Sequence, residues 1–181
     1  MDQIHPYPAL ARLTVRGYFK GREINERLRQ GLSKDPEVWS PRRGCFVTIK
    51  NNDGSLRGCI GTISPAQTDL GWEIAANAVS SATRDPRFEP MEERELENVF
   101  FSVDVLEPPE PVTSLDELDP ARWGVIVSKG FQRGLLLPDL EGVDTVIQQV
   151  SIAARKAGLH SLDGVALERF TVSRYPERTK P

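Results

Sequence analysis

Apolar residues recur at helical spacing early in the chain, at Ala9, Leu10, Leu13, Tyr18, Ile24 and Leu28. Gly17 and Gly21 weaken the run, so the spacing predicts a helix over 9–31 that breaks near Gly21. SKDPEVWSPRRG (33–44) is a proline-bearing loop. The period then changes. CFVTIK (45–50) is β-branched and aromatic and predicts a strand. NNDG (51–54) is a turn, because Asn, Asp and Gly tolerate positive φ. SLRGCIGTI (55–63) returns as the second strand of a hairpin.

SPAQ (64–67) has capping-box spacing, and Asp69 is an alternative cap. The helix that follows runs to about Arg84, with Leu70, Ile74, Ala78 and Ser81 on one face. Its small residues suit close packing on a sheet. Asp85, before Pro86, ends it. NVFFSVDVLE (98–107) alternates as a strand, and 108–123 is a proline- and acid-rich connection. GVIVSKGFQRGLLLP (124–138) predicts a second hairpin turning near Lys129-Gly130. VDTVIQQVSIAARKAG (143–158) is the clearest helix, its stripe formed by Val143, Val146, Ile147, Val150, Ala153, Ala154 and Ala157. VALERFTVSRY (165–175) is a last strand. These elements give an α+β fold with a mainly antiparallel sheet flanked by helices. The expected domain covers 8–175, with 1–7 and 176–181 as loose ends. Prolines at 108–111 mark either a subdomain edge or one loop.

A length of 181 residues suits one domain, with or without a small subdomain. The net charge of -3 argues against general nucleic-acid affinity. No apolar run approaches the roughly 20 residues that span a bilayer. The start, MDQIHPYPAL, lacks the basic-then-apolar pattern of a signal peptide, which places the protein in the cytoplasm. Two cysteines supply neither a disulfide framework nor a zinc quartet, and both are expected as free thiols.

Candidate chemistry centres on LRGCIGT (56–62). Cys59 reads either as a nucleophile or soft-metal ligand, or as a small buried hydrophobe. On a regular strand Arg57 shares its face, and Gly58 and Gly61 open the backbone to a ligand. The hairpin register has two readings. A three-residue loop (52–54) sets Val47 opposite Cys59, with Cys45 diagonal to it. A four-residue loop (51–54) sets Phe46 opposite Cys59 and sends the thiols to opposite faces. Arg57, Arg84 and Arg87 form either an anion-binding group or surface ion pairs with Asp85 and Glu89. Asp85 is a turn residue or a partner that orients Arg57. Asn77, at the edge of an apolar helix face, fastens the helix to the glycine-rich strand or faces a ligand. Glu92, Glu93 and Glu95 read as a solvated acidic run. His5 and His160 fall in no metal-ligand spacing. KGFQRGLLLP lacks a Walker or dinucleotide fingerprint, and no cofactor motif is present.

The ordered set GCFVTIK, LRGCIGT, NAVSSATRDPRF, GVIVSKGFQRGLLLP and LERFTVSRY resembles the AMMECR-type domain family. The likeness is to its bacterial and archaeal form, called AmmeMemoRadiSam system protein A, and covers about residues 8–175. The resemblance implies an α+β fold with a smaller lobe and a cleft near LRGCIGT. It implies no established activity. It points to a Memo-like protein and a radical S-adenosylmethionine enzyme as partner candidates. Two cysteines without a CxxxCxxC triplet leave the radical cluster to that partner. The expected function is binding of a small ligand or partner over a floor of Arg57, Gly58, Cys59, Ile60, Gly61 and Thr62. Asn77 and the turn Asp85, Arg87 and Phe88 stand at its side. The alternatives are an enzyme using Cys59 as nucleophile, and a pure interaction module.

Overall fold

The computed structural model describes residues 4–22 and 26–177. The chain divides into two compact units, one formed by Met1–Val105 with Arg174–Pro181, the other by Leu106–Ser173. The fold is α+β, with two antiparallel sheets flanked by helices.

In the first unit the expected long helix is two: α1 (Pro6–Phe19) and α2 (Glu26–Leu32). The break falls at Gly21, whose φ of 61° is left-handed. Ile24 lies outside the described residues. Two strands follow, β1 (Cys45–Asn51) and β2 (Leu56–Gly61), then α3 (Leu70–Thr83) and β3 (Val99–Leu106). Of the two candidate caps, Asp69 starts α3, accepting from Trp72 N–H at 3.0 Å. The core side of this sheet carries Cys45, Val47, Ile49, Phe101 and Val103, all fully buried together with Leu10, Ile74 and Ala78 of the helices. That alternation is what the strand pattern encodes.

The second unit holds β4 (Glu110–Val112), β5 (Gly124–Lys129), β6 (Gln132–Leu136), α4 (Val146–Lys156) and β7 (Ala166–Phe170). Its sheet order is β4-β7-β5-β6. β4 falls inside the stretch expected to be irregular. It contains Pro111, which an edge strand tolerates because one side of its ladder is unpaired. α4 covers the sheet with Val150, Ala153 and Ala154, and Thr145 with Gln148 forms its capping box.

The last expected strand is two. β7 ends at Phe170, and β8 (Val172–Pro176) joins the first sheet, whose order is β2-β1-β3-β8. Of the expected loose ends, 1–7 and 176–181, residues 1–3 and 178–181 lie outside the described residues, and regular structure reaches into both ends. Pro6 and Tyr7 belong to α1. Pro176 closes β8. The Glu177 carboxylate pairs with Arg12 and accepts Phe101 N–H at 3.0 Å.

Candidate functional site

The site begins with a register shift. β1 and β2 close over a three-residue loop, 52–54, with Asn51 N–H donating to Ser55 carbonyl at 2.9 Å. A bulge then falls between the Lys50↔Leu56 and Ile49↔Gly58 pairs, so Arg57 is the extra residue. Beyond it Thr48 lies opposite Cys59, a register that neither simple loop produces. One extra residue flips every later side chain. Gly58, Ile60 and Thr62 turn toward α3, whereas Cys59 and Gly61 share the other face with Phe46 and Thr48. Cys45 is on the core side, so the two free thiols lie on opposite faces.

The bulge also separates Arg57 from Cys59. Arg57 forms a bidentate pair with Glu95 at 2.7 and 3.0 Å, and this holds the Glu95 carboxyl below its usual range. Glu95 is therefore a structural partner rather than part of a solvated run. Arg87 is the cation beside Cys59, donating to its carbonyl at 3.4 Å. Phe88 lies near both guanidinium groups, 6.0 Å from Arg57 and 5.6 Å from Arg87. Among the described residues no side-chain hydrogen bond marks Arg84 as a third member of an anion cluster.

Four polar residues spaced by four, Glu73, Asn77, Ser81 and Asp85, descend α3 and its C-terminal turn, each at 4% exposure or less. Residues four apart stack along one helix face. Glu73 accepts the Thr62 hydroxyl at 2.5 Å and the N–H groups of Ala66 and Gln67 at 2.8 and 2.7 Å. Asn77 donates to Cys45 carbonyl at 3.0 Å and to the Thr62 hydroxyl at 3.2 Å. The Ser81 hydroxyl accepts Ile60 N–H at 2.8 Å and donates to Val47 carbonyl at 2.7 Å. Asp85 accepts Cys59 N–H at 2.9 Å. Each rung satisfies strand or loop groups that burial would otherwise leave unpaired. β2 is a sheet edge, so its outward groups need partners. At Cys59 the Asp85–Arg87 pair supplies them.

The glycines follow from this geometry. A Cβ on Gly58 would stand 2.2 Å from Ser81 carbonyl oxygen, so glycine lets α3 approach the strand. A Cβ on Gly61 would stand 2.3 Å from the Phe46 ring, which lies over the bare backbone.

On the opposite face the Cys59 sulfur lies 3.3 Å from the Thr48 hydroxyl. Thr48 pairs with Ser102 and Phe46 with Asp104 across β1 and β3. Asp104, buried, binds Arg174 at 2.7 Å. Burial pushes the Cys59 thiol up from its ordinary value, and the Asp104 and Asp85 carboxylates add to this; the Thr48 hydroxyl and Arg87 pull the other way without reversing it. Cys45 is pushed up to about 12, chiefly by burial. Asp85 is held down at about 2, chiefly by Arg87. Among the described residues no group of three or more His, Cys, Asp or Glu side chains is placed to hold a metal ion.

Sequence reasoning singles out Cys59, Asn77, Asp85 and Arg87; the structure brings Asp85 and Arg87 to the backbone of Cys59, and sets Asn77 on Cys45 of β1 and on Thr62 just past β2. It misses Glu73 and the floor residues Thr48, Ser102, Asp104 and Arg174, and it counts Ser81 only as part of an apolar face. The four-residue spacing of polar residues from 73 to 85 is the signal that finds the ladder. The polar positions Ser102 and Asp104, alternating with Phe101, Val103 and Val105, mark the second face.

The AMMECR1 family pattern matches residues 8–177. A protein from Thermotoga maritima is 48% identical over 172 residues, covering 94% of this chain and 97% of its own. Protein MJ0810 of Methanocaldococcus jannaschii is 34% identical, covering 92% and 86%. Protein CA_C1420 of Clostridium acetobutylicum is 43% identical over 95% of this chain, which spans 36% of that longer protein. The crystal structure of uncharacterized protein PH0010 from Pyrococcus horikoshii superposes with a TM-score of 0.83 at 31% identity, over 94% of this chain and 89% of that one. The chain is an α+β protein of two antiparallel sheets, and it belongs to the AMMECR1 family. Among the described residues no helix is long and apolar enough to cross a membrane.

Proposed function

We propose that this chain is a cytoplasmic binding component without nucleophilic chemistry of its own. Its working surface is the sheet face floored by Cys59, Gly61 and Thr48, with Arg87 and Phe88 at the rim. The observation that carries this reading is the ladder on α3. It fixes the backbone of 59–62 while leaving the Cys59 side chain on the opposite, half-buried face. Such a floor is preorganised, which lowers the ordering cost of association. The thiol is pushed up rather than down, which favours a contact surface over a nucleophile.

The resemblance to AmmeMemoRadiSam system protein A supplies the partner candidates, a Memo-like protein and a radical S-adenosylmethionine enzyme. In that setting the floor holds a docked partner segment or a small ligand for the partner's chemistry. The test is co-purification of each candidate with the full-length chain, wild type against Thr48→Arg. Capture by wild type, lost in a Thr48→Arg protein with unchanged melting, supports the reading. Capture that survives Thr48→Arg overturns the surface, and no capture by wild type overturns the partners. If Thr48→Arg does not fold, Ser102→Gln on the adjacent strand takes its place.

A further inference from the structure

The second unit carries a groove that the floor around Cys59 does not involve. It has a volume of about 620 Å³ and runs along the outer side of α4 and the return at 159–162. Ile147, Ile152, Leu159 and Leu162 give it an apolar bed, while Arg155 and His160 are its ionisable side chains. Among the described residues no Asp or Glu lines it, although the chain carries 26 acidic against 23 basic residues. Among the lining residues Arg155 thus carries a positive charge within a chain of net charge -3, and the Asp163 carboxylate accepts the hydroxyl of the lining residue Ser161 at 2.8 Å.

Ile147 makes the groove more than a crease. The helical stripe predicts it as a core position, yet it is 57% exposed, and Leu162 is 38% exposed. Val150, Ala153 and Ala154 cover the sheet, while Ile147 lies off that face and is open to solvent over more than half of its surface. Arg155 suits the C-terminal end of the α4 dipole, but Lys156 at the next position answers that need equally well. α4 has 11 residues. At 1.5 Å per residue it is roughly 16 Å long, enough to seat the i, i+4 and i+7 anchors of a second helix.

We propose that this groove docks an acidic amphipathic helix of a partner protein. Its apolar side chains would lie on Ile147, Ile152 and Leu162, with its carboxylates directed to Arg155 and His160. This surface is separate from the one proposed around Cys59, and neither depends on the other.

The test is fluorescence anisotropy of the full-length chain with two labelled helical peptides. Both carry Leu at i, i+4 and i+7; one has Glu at the flanking positions and the other Lys. The Glu peptide is expected to bind at least about tenfold more tightly than the Lys peptide. Arg155→Glu should remove or invert that preference, and Ile147→Ser should weaken the Glu peptide by about fivefold or more. Both positions are exposed, and circular dichroism confirms that the variants fold. Absence of binding by the Glu peptide, equal binding of both peptides, or an unchanged preference in Arg155→Glu overturns the proposal.

Discussion

The Asp85 carboxylate accepts the backbone N–H of Cys59 at 2.9 Å, and Arg87, paired with that carboxylate at 2.7 Å, donates to the carbonyl of the same cysteine. The edge strand is thus held at the position where its side chain leaves the helix side. A turn residue, a rim arginine and a strand cysteine act as one unit.

This unit gives acid stability a defined sign. Asp85 lies at about 2 in the folded chain, below its ordinary 3.8. Its contribution is fully present above the unfolded value and is lost as pH falls from about 4 to about 2. Because Arg87 is half exposed, the contribution is screened to about 1–2 kcal/mol. Asp85→Asn should lower stability by that amount at pH 7 and converge with wild type near pH 2. Urea unfolding at several pH values measures it, and a constant difference would contradict the pairing.

Asn77→Asp should show the opposite pH trend. The new carboxylate would face Cys45 carbonyl in place of a donor, at a position only 4% exposed. Burial raises the folded pKa of such a group, so the ionised form is penalised above the unfolded value and relieved by protonation at lower pH. A loss of about 3 kcal/mol or more at pH 7 is expected. The deficit should shrink as pH falls through the carboxylate range, as read by the same unfolding series.

Two glycine substitutions should move stability in opposite directions. Gly58→Ala drives a Cβ to 2.2 Å from the Ser81 carbonyl oxygen, and overpacking of this kind costs about 1–3 kcal/mol. Gly31→Ala lies within α2 with nothing within 4 Å of the added methyl. It should gain about 0.5–1 kcal/mol from helix propensity. Melting temperatures of the two variants against wild type decide the matter. Equal effects would mean that the close approach of α3 to β2 is wrong.

Much of the fold is legible in the sequence because its periods are clear. β1, β3, the β5–β6 hairpin and α4 follow directly from alternation and turn residues. The errors have physical causes. β4 is hidden by Pro111, which only an edge position permits. β7 and β8 read as one strand because nothing in LERFTVSRY marks the point where the chain changes sheets. At the site, Asn77 and Asp85 are visible as polar residues beside apolar ones. The face on which Cys59 lies is not, because it depends on the bulge at Arg57, and one inserted residue reverses the parity of the strand. That reversal also transfers the role of neighbouring cation from Arg57 to Arg87.

The most direct measurement is the pH dependence of iodoacetamide alkylation of Cys59 in a Cys45→Ser background. Labelling should be slow, with a midpoint above the ordinary thiol value of 9.0 because burial outweighs the Thr48 and Arg87 contributions. A midpoint well below that value, with fast labelling near neutral pH, would contradict this and make Cys59 an activated nucleophile.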